Sequence, residues 1–199
     1  YPDIDGIFAV DMVAIACIRQ LLKRKKKVPR DVKVVAYDGT YVTQLRTGAS
    51  SGAAFDLLGK KECKKGAMIG TGGQAAAQLE AMLAARKLEE VKIFDLNEER
   101  CKAFAEEMQK ELAKYGATII PAKDSDDCIE DADLIITVTP SAKPVFDGTK
   151  VKAGATISCV GTYEPHKHEL DPAVLPRASK IICDSKEAAL SETGDLLIP

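Results

Sequence analysis

The sequence predicts an α/β fold built on a doubly wound parallel sheet, and three observations lead to this prediction. Short apolar runs alternate with stretches of helical periodicity along the chain. A glycine-rich segment at 70–75 lies directly between one such run and one helical stretch. Six apolar runs occur from residue 66 onwards, which is the number of strands in a complete sheet of order 3-2-1-4-5-6.

The glycine-rich segment has the pattern G-x-G-x-x-A, which is typical of the dinucleotide-binding turn of a Rossmann domain. Gly70 permits the tight strand-to-helix turn, Gly72 lets a pyrophosphate approach the backbone, and Ala75 lets the helix pack close to the strand. The N–H groups at the start of the helix then face the phosphates. The predicted cofactor-binding residues of this segment are Gly70, Thr71, Gly72, Gly73, Gln74 and Ala75.

Asp95 is the residue predicted to bind the adenosine ribose. It lies near the end of the predicted strand 91–96 and 25 residues after Gly70. A carboxylate at this place accepts hydrogen bonds from the ribose hydroxyls and repels a 2′-phosphate, which favours NAD over NADP. A helix cap or a solvated loop acid is the alternative interpretation, and Arg100 is near enough in sequence to weaken the preference for NAD.

The chain is predicted to consist of a β-α-β unit over residues 1–42 and a dinucleotide-binding domain over 43–199. The first part has strands at 5–10 and 32–37, joined by a helix at 12–27, and these two strands should be parallel. A helix at 43–58 leads the second part. Its predicted apolar face contains Leu45, Ala49, Ala53 and Leu57, and Gly48 and Gly52 lie one turn apart, where another backbone can pack closely.

The remaining elements of the second part follow from apolar runs and helical spacing. Predicted strands lie at 66–70, 91–96, 118–122, 134–138, 155–160 and 180–183, and predicted helices at 98–115 and 125–131. Ligands of doubly wound sheets bind beyond the carboxyl ends of the strands. The segments 139–141 and 160–163 should therefore line the site together with Asp95 and the glycine turn.

Composition excludes several other classes of function. The net charge of −2 gives no drive towards nucleic acid or anionic membranes, and no apolar run reaches the ~18 residues of a membrane span. Six scattered cysteines are typical of reduced thiols in a cytoplasmic protein, although Cys63 beside two lysines is a candidate reactive thiol. His166 and His168 lack metal-ligand spacing, so no metal site is predicted.

Residues 38–199 resemble the ornithine cyclodeaminase / mu-crystallin family. The motifs that carry this resemblance lie at 38–49, 69–75, 137–141, 160–163 and 194–199. The resemblance implies use of NAD(P)(H) on amino acids or imines. It also implies that Arg46 holds a substrate carboxylate, Thr47 faces the dinucleotide, and Thr139 and Val160 lie beside the nicotinamide ribose and ring.

Two departures from this family affect the functional prediction. Cyclodeaminases have a catalytic aspartate shortly after the Val-Gly pair, where this chain has Tyr163, with Glu164 as the nearest substitute. Cyclodeamination is therefore not expected, and no catalytic residue is predicted. The family's N-terminal substrate domain is also replaced by the predicted β-α-β unit.

Residues 1–42 resemble a fragment of the effector domain of lac-repressor-family regulators, through the segments 2–9, 12–15, 28–35 and 37–40. The two resemblances meet at residues 38–42, which suit both families. We therefore expect an engineered chimera that binds NAD(H) and has little or no catalytic activity. The alternative is an NAD-dependent oxidoreductase acting on small amino or imino acids. Exposed strand edges favour a homodimer in either case.

Overall fold

The structure is a computed structural model that describes residues 6–10, 21, 23–24, 26, 32–37 and 40–198. The chain divides into two compact units, Tyr1–Arg46 and Thr47–Pro199. This division falls inside helix α1 (Thr40–Leu58). A domain boundary between residues 42 and 43 stays a prediction.

The first unit contains two strands, β1 (Gly6–Val10) and β2 (Lys33–Tyr37). They pair in parallel, with Gly6 opposite Lys33 and Val10 opposite Tyr37, which confirms the predicted direction. The predicted helix at 12–27 lies largely outside the described residues.

The second unit is built on a parallel sheet. In the described part of this unit, five strands form the sheet: β3 (Lys65–Ile69), β4 (Glu90–Phe94), β5 (Thr118–Pro121), β6 (Leu134–Thr137) and β7 (Thr156–Cys159). Their order in space is β5-β4-β3-β6-β7, and every adjacent pair is parallel. The order confirms the predicted doubly wound Rossmann sheet for these strands.

After α1, three helices of this unit alternate with strands β3 to β6, and two more follow β7. They are α2 (Ala75–Ala85), α3 (Glu98–Glu111), α4 (Ser125–Ile129), α5 (Lys186–Glu192) and α6 (Gly194–Leu197), with 3₁₀ turns at Ala113–Tyr115, Gly148–Lys150 and Pro172–Arg177. Asn97 caps α3, because its side chain accepts a hydrogen bond from the Arg100 backbone N–H. The 3₁₀ turn after α3 replaces the last residues of the helix predicted at 98–115.

The core lies on both faces of the sheet, which explains why the central strands are continuously apolar. Side chains alternate along β6, so that Leu134 and Ile136 pack in one apolar cluster and Ile135 in the other. The apolar stripe of α3 packs in the first cluster, where Cys101, Ala105 and Met108 are buried. Packing on both faces holds the sheet in place, so the loops after its strands can carry a functional site.

The strand predicted at 180–183 is absent from the described residues, where this segment has no regular structure. Ile181 and Ile182 are exposed and make no ladder with β7, whose own side chains are half-buried. A run of apolar residues forms a strand only if it can pair with the edge of a sheet and if other residues cover its side chains. Here that burial does not occur, and the sheet ends at β7.

The buried face of α1 differs from the predicted leucine face. Leu57 is 81% exposed, whereas Gly48, Ser51 and Phe55 are buried. A Cβ on Gly48 would lie 2.7 Å from the Ala77 carbonyl oxygen, so α1 and α2 approach almost backbone to backbone. The close approach predicted at Gly48 is confirmed. It explains why α1 buries this face and not the leucine face, because large side chains would keep the two helices apart.

Arg86 holds the end of α1 against the end of α2. Its buried guanidinium donates to the backbone carbonyls of Asp56, Gly59 and Lys60 and to the Asp56 carboxylate, at 2.7–2.9 Å. The Asp56 carbonyl is one of the four that the end of a helix leaves without partners, and the carbonyls of Gly59 and Lys60 belong to the turn that follows. A planar fork of donors therefore closes α1.

We expect Arg86→Lys to lower the free energy of unfolding by about 2 kcal/mol, because a lysine ammonium cannot reach all three carbonyls at once. Urea denaturation followed by circular dichroism measures the loss. Lys87→Ala is the matched control, since Lys87 is the exposed neighbour and its removal should change stability by less than about 0.5 kcal/mol. Equal stability of the two variants would contradict the role of Arg86.

None of the helices in the described part of the chain is long and apolar enough to cross a membrane. The described cysteines, which exclude Cys17, are all free thiols. Cys63 is buried, and this burial, followed by the nearby Asp133 carboxylate, raises the pKa of its thiol. The interpretation of Cys63 as an activated thiol is therefore wrong.

Candidate functional site

The candidate site lies at the carboxyl ends of the parallel strands, where β3, β4, β6 and β7 release their loops. The Gly70 N–H donates to the Phe94 carbonyl at 2.8 Å, and the Val138 N–H donates to the Ile69 carbonyl at 2.9 Å. These contacts bring the loop after β3 between the loops after β4 and β6. This edge is where doubly wound sheets bind nucleotides.

Gly70 cannot be replaced without disturbing this edge. Its φ of +105° lies in the left-handed region that side chains avoid. A Cβ there would also lie 2.6 Å from the Val138 carbonyl oxygen and 2.9 Å from Thr139 Cγ2. The glycine is thus required both for the turn and for the contact between two strand ends.

The rest of the glycine turn offers an open cradle at the start of α2. Apart from the adjacent residues, no described atom lies within 4 Å of the position that a Cβ would take on Gly72 or Gly73. Ala75 is fully buried where α2 meets the sheet, as the motif predicts. The buried Oε1 of Gln74 accepts no hydrogen bond from the described residues. The space over Gly72 and Gly73, at the start of α2, is therefore one that a phosphate group can enter.

Asp95 lies beside this cradle, with its side chain only 5% exposed. Its Oδ2 accepts hydrogen bonds from the Thr71 N–H at 2.9 Å and from the Thr71 hydroxyl at 2.7 Å. Its Oδ1 accepts from the Asn97 N–H at 2.9 Å, and Arg100 Nη2 donates to both oxygens at 2.7 and 2.8 Å. The carboxylate therefore fixes the glycine turn to the end of β4.

The pKa of Asp95 reflects two opposed effects. Burial disfavours the charged carboxylate, but the hydrogen bonds from Asn97, Thr71 and Arg100 outweigh it and lower the pKa below its usual range. Asp95 consequently stays ionised at every pH near neutrality. The site holds a carboxylate that is paired with a guanidinium, and Arg100 itself is 57% exposed.

A second buried carboxylate, Glu169, joins the loops after β6 and β7. Its Oε1 accepts from the Thr139 N–H at 2.6 Å and from the Thr139 hydroxyl at 2.7 Å. Its Oε2 accepts from the Gly161 N–H at 2.8 Å and from the Thr137 hydroxyl at 3.0 Å. Burial raises the pKa of Glu169, although these hydrogen bonds oppose that rise.

The two loops that Glu169 joins are packed against each other. A Cβ on Gly161 would lie 2.0 Å from the Thr139 carbonyl oxygen, so only glycine fits there. Asp195 at the start of α6 supports the arrangement, because its Oδ1 accepts from the N–H groups of Glu169 and Leu170 at 2.7 and 2.8 Å. Its Oδ2 accepts from the Thr162 hydroxyl at 2.6 Å. Two acids thus define the shape of this side of the site.

The structure brings most of the predicted site residues together, because Asp95 contacts Thr71, Gly70 contacts Thr139, and Thr139 contacts Gly161. Val160 is half-buried, and its N–H donates to the Thr137 carbonyl at 2.9 Å. Thr47 is half-buried on α1, next to the contact with α2. Arg46 is exposed on α1 and is the last residue of the first unit.

Other candidate groups have no such arrangement. Tyr163 is 73% exposed, and Glu164 forms an ion pair with Lys167 at 2.6 Å and lies 3.2 Å from His166 Nε2. The residues described here contain no group of three or more His, Cys, Asp or Glu side chains that could hold a metal ion.

The sequence did not reveal Glu169 or Asp195 as organisers of the site. The rule that ligands bind beyond strand ends selects residues next to a strand, and Glu169 lies ten residues after the end of β7 in a polar loop. Asp195 belongs to a motif of the family resemblance, but nothing in its spacing indicates a buried acceptor. Only the folded loop brings them to the strand ends.

Comparison with known proteins identifies a family that this chain matches. The profile of the ornithine cyclodeaminase/mu-crystallin family matches residues 31–198. A Delta(1)-pyrroline-2-carboxylate reductase of Bacillus cereus is 39% identical over 162 residues, which cover 81% of this chain and 49% of the relative. One of Colwellia psychrerythraea is 31% identical over 202 residues, which cover 99% of this chain and 58% of the relative. The chain thus spans about half the length of these relatives.

Solved structures agree with this match. The Thermococcus litoralis Delta(1)-pyrroline-2-carboxylate reductase in complex with NADH and L-proline has a TM-score of 0.77 and 36% identity, over 87% of this chain and 52% of that one. An archaeal alanine dehydrogenase dimer with bound NAD has a TM-score of 0.67 and 34% identity, over 76% and 45% of the two chains.

The hypothesis of a chimera with little or no catalytic activity is contradicted. Named enzymes align with this chain, and the Colwellia reductase covers 99% of it, so no separate foreign fragment is needed to account for residues 1–42. The resemblance of those residues to repressors has no support from these matches. The profile match, the order of the sheet and the glycine turn agree with each other, and the chain belongs to the ornithine cyclodeaminase/mu-crystallin family.

Proposed function

We propose that this chain carries the dinucleotide site of an NAD-dependent oxidoreductase that acts on small amino or imino acids. The observation that supports the proposal most directly is the open cradle over Gly72 and Gly73, enclosed by the buried Asp95 carboxylate on one side and the start of α2 on the other. Family relatives bound to NADH or NAD, at 36% and 34% identity, support the same cofactor.

Each part of the dinucleotide has candidate partners in the chain. The pyrophosphate would lie over the backbone of residues 70–75, since only a glycine at 72 leaves the backbone accessible. The adenosine ribose would lie against Asp95. Leu96, which is 95% exposed, offers an apolar surface beside it for the adenine. The nicotinamide ribose and ring would lie near Thr139 and Val160.

The dinucleotide supplies or accepts a hydride, and the residues of the chain bind and orient the reactants. Thr139 and Gly161 are held by Glu169, so the loops beside the nicotinamide ring are fixed before binding. Fixed loops lower the entropy lost on closing the site. Arg46 is the proposed partner of a substrate carboxylate, and Thr47 is proposed to face the dinucleotide. A proton donor is not assigned.

The substrate class comes from the relatives. Reductases of Delta(1)-pyrroline-2-carboxylate and an alanine dehydrogenase share the conversion of a carbon–nitrogen double bond next to a carboxylate into an amine. We therefore propose 2-imino acids, cyclic or open, and the corresponding amino acids as substrates. A homodimer is proposed by analogy with the archaeal alanine dehydrogenase dimer.

Gly72→Val tests the dinucleotide site without disturbing the fold. The Cβ of the new side chain meets no described atom within 4 Å other than those of the adjacent residues, so stability should stay within about 1 kcal/mol of the parent. Its methyl groups would occupy the space of the pyrophosphate, and NADH affinity should fall at least about tenfold, a difference of about 1.4 kcal/mol in binding free energy. Titration of NADH fluorescence with protein measures the affinity.

Ala103→Val, on the exposed face of α3, adds the same methyl groups away from the site and is the matched control. The parent should bind NADH with a Kd below about 1 mM. Failure of the parent to bind at millimolar NADH would reject the proposed function. Equal affinity of Gly72→Val and the parent would reject this placement of the pyrophosphate. NADH oxidation with a panel of cyclic and open 2-imino acids then tests catalysis.

A further inference from the structure

Glu169 is a fully buried acid beside the part of the site that is proposed for the nicotinamide ring. Each of its two carboxyl oxygens meets one backbone N–H and one threonine hydroxyl. The N–H groups can only donate hydrogen bonds, whereas a hydroxyl can donate or accept. Each oxygen therefore has one neighbour, the threonine hydroxyl, that can accept a hydrogen bond if the carboxyl group carries a proton.

The Thr139 hydroxyl connects this buried acid to the open side of the site. Its Oγ1 lies 2.7 Å from Glu169 Oε1, and the Ser141 N–H donates to it at 3.3 Å. A hydroxyl oxygen has one proton and two lone pairs. When Glu169 is protonated, Oγ1 accepts hydrogen bonds from the carboxyl group and from Ser141, and its own proton is left for a third group. Thr139 is half-buried, so a ligand can approach it, whereas Thr137 is fully buried.

The surroundings of Glu169 disfavour its ionised form. Burial raises the pKa of its carboxyl group, although the hydrogen bonds from the two threonines and from Gly161 oppose that rise. The Asp195 carboxylate of α6 accepts a hydrogen bond from the Glu169 backbone N–H at 2.7 Å and adds negative charge nearby. The other titratable groups near this acid are the Cys159 thiol of β7 and the half-buried His168. No described cation pairs with Glu169, so a proton can stay on it at a pH where an exposed glutamate is ionised.

We infer that Thr139 is a catalytic residue whose hydroxyl passes a proton from Glu169 to the substrate nitrogen when a 2-imino acid is reduced. The inference rests on the proposed function, which requires a proton for the nitrogen in addition to a hydride for the carbon of the C=N bond. A hydroxyl that is held between a proton source and a ligand can supply that proton without bringing water into the site.

The transfer balances as follows. While the carbon receives its hydride from the dinucleotide, the Oγ1–H bond of Thr139 breaks and an N–H bond forms on the substrate. Oγ1 takes the proton of Glu169 Oε1 in the same step, which leaves an amine, an oxidised dinucleotide and the Glu169 carboxylate. Water protonates Glu169 again through Thr139 after the product leaves. Oxidation of an amino acid runs the same steps in reverse and requires the ionised carboxylate.

Infrared spectra of the protein without dinucleotide test whether Glu169 holds a proton. We expect a carbonyl band of a protonated carboxyl group that persists above the pH at which exposed carboxyl groups ionise, and that is missing from folded Glu169→Gln. Thr139→Val should shift this band, because a protonated Oε1 then has no hydroxyl to which it can donate. Thr149→Val is the matched control and should leave the band unchanged. Thr149 also donates its N–H and its hydroxyl to one carboxylate oxygen, that of Asp147, but it is exposed.

Single-turnover reduction of a cyclic 2-imino acid at saturating NADH tests the transfer itself. Thr139→Val should lower the rate about 100-fold at low pH, whereas Thr139→Ser, which keeps the hydroxyl, should stay within about tenfold of the parent. The ratio of the parent rate to the Thr139→Val rate should fall as the pH rises through the pKa of Glu169, because only the protonated acid supplies the proton. This ratio cancels the protonation of the imine itself. Circular dichroism confirms that each variant is folded.

Three outcomes would overturn the inference and leave the proposed function intact. The first is a folded Thr139→Val that reduces the imino acid at the parent rate. The second is an equal loss of rate in Thr139→Val and Thr139→Ser, which would limit Thr139 to the shape of its loop. The third is absence of the protonated band at every pH at which the parent is active. A parent that fails to bind NADH, or that reduces none of the imino acids, would instead reject the proposed function and this inference together.

Discussion

Replacing Gly70 with alanine is expected to lower the free energy of unfolding by about 4 kcal/mol and to abolish NADH binding. Two costs contribute to the loss of stability. The left-handed φ of +105° costs about 1–3 kcal/mol for a residue with a Cβ. The new methyl group would also lie 2.6 Å from the Val138 carbonyl oxygen, and relieving such a clash costs about 1–3 kcal/mol more.

The clash at Gly70 cannot be relieved by a side-chain rotation, because the contacted atom belongs to the backbone. The loop after β6 would have to move, and Thr139 would move with it. Since Thr139 is also held by Glu169, the change should propagate to the loop after β7. Thermal unfolding should shift by roughly 8–16 °C for a chain of this size.

Gly72→Ala serves as the control for Gly70→Ala, because Gly72 has neither a positive φ nor a described atom near its Cβ position. It should leave the melting temperature nearly unchanged. If both alanine variants melt at the parent temperature, the backbone of the turn is not strained as described. If Gly70→Ala melts early but binds NADH with parent affinity, the turn is structural and does not form the cradle.

The sequence predicted the sheet because its central strands are unusual. A run such as Leu134–Thr137 is buried on both faces, so its apolar character appears directly in the sequence. The glycine turn is equally visible, since Gly70 must adopt a conformation that few other residues allow. Where a backbone conformation allows very few residue types, the local structure can be predicted from the sequence.

Prediction was wrong where burial depends on partners that are distant in sequence. The segment 180–183 has the composition of a strand but finds no paired edge among the described residues. The leucine face of α1 has good helical spacing, yet the helix buries the face of Gly48 and Ser51 against α2. In the described part of the chain, the first segment has no neighbouring strand with which to pair. For α1, the shape of α2 decides which face of the helix is buried.

The functional prediction failed for a different reason. The resemblance of residues 1–42 to repressors predicts a foreign fragment in place of the substrate domain, and from that fragment a loss of activity. A relative of the same family that covers 99% of the chain removes the first argument. Short β-α-β segments share patterns of apolar residues across many unrelated folds, so such a resemblance carries little weight without a match along the whole chain.

Asp95 shows how far a motif can predict chemistry. Its position at the end of β4 was predicted, and it does lie beside the glycine turn. Its engagement by Arg100 and Thr71 depends on the first turn of α3, where residue 100 returns to the strand end. A motif therefore locates the acid, while the contacts around it decide how many of its lone pairs remain for a ligand.

Glu169→Ala is the other substitution with a large expected effect. It would leave four donors without an acceptor: the N–H groups of Thr139 and Gly161 and the hydroxyls of Thr137 and Thr139. We expect a loss of about 3–5 kcal/mol in the free energy of unfolding, because each buried unsatisfied donor costs about 1–3 kcal/mol and water will satisfy some of them. Urea denaturation monitored by circular dichroism measures the loss.

A purely structural role of Glu169 and a positioning role predict different behaviour of Glu169→Gln. Glutamine keeps one acceptor oxygen but presents an NH₂ group to two donors, so it should recover part of the stability and still displace one of the two loops. If Glu169 positions these loops beside the nicotinamide ring, folded Glu169→Gln should bind NADH more weakly than the parent, while adenosine 5′-phosphate binds equally well. Glu106→Ala, which removes an exposed carboxylate on α3, should change neither affinity. Parent-like NADH binding by folded Glu169→Gln would mean that the loops after β6 and β7 keep their shape without the second carboxylate oxygen, and that Glu169 is not needed to position them.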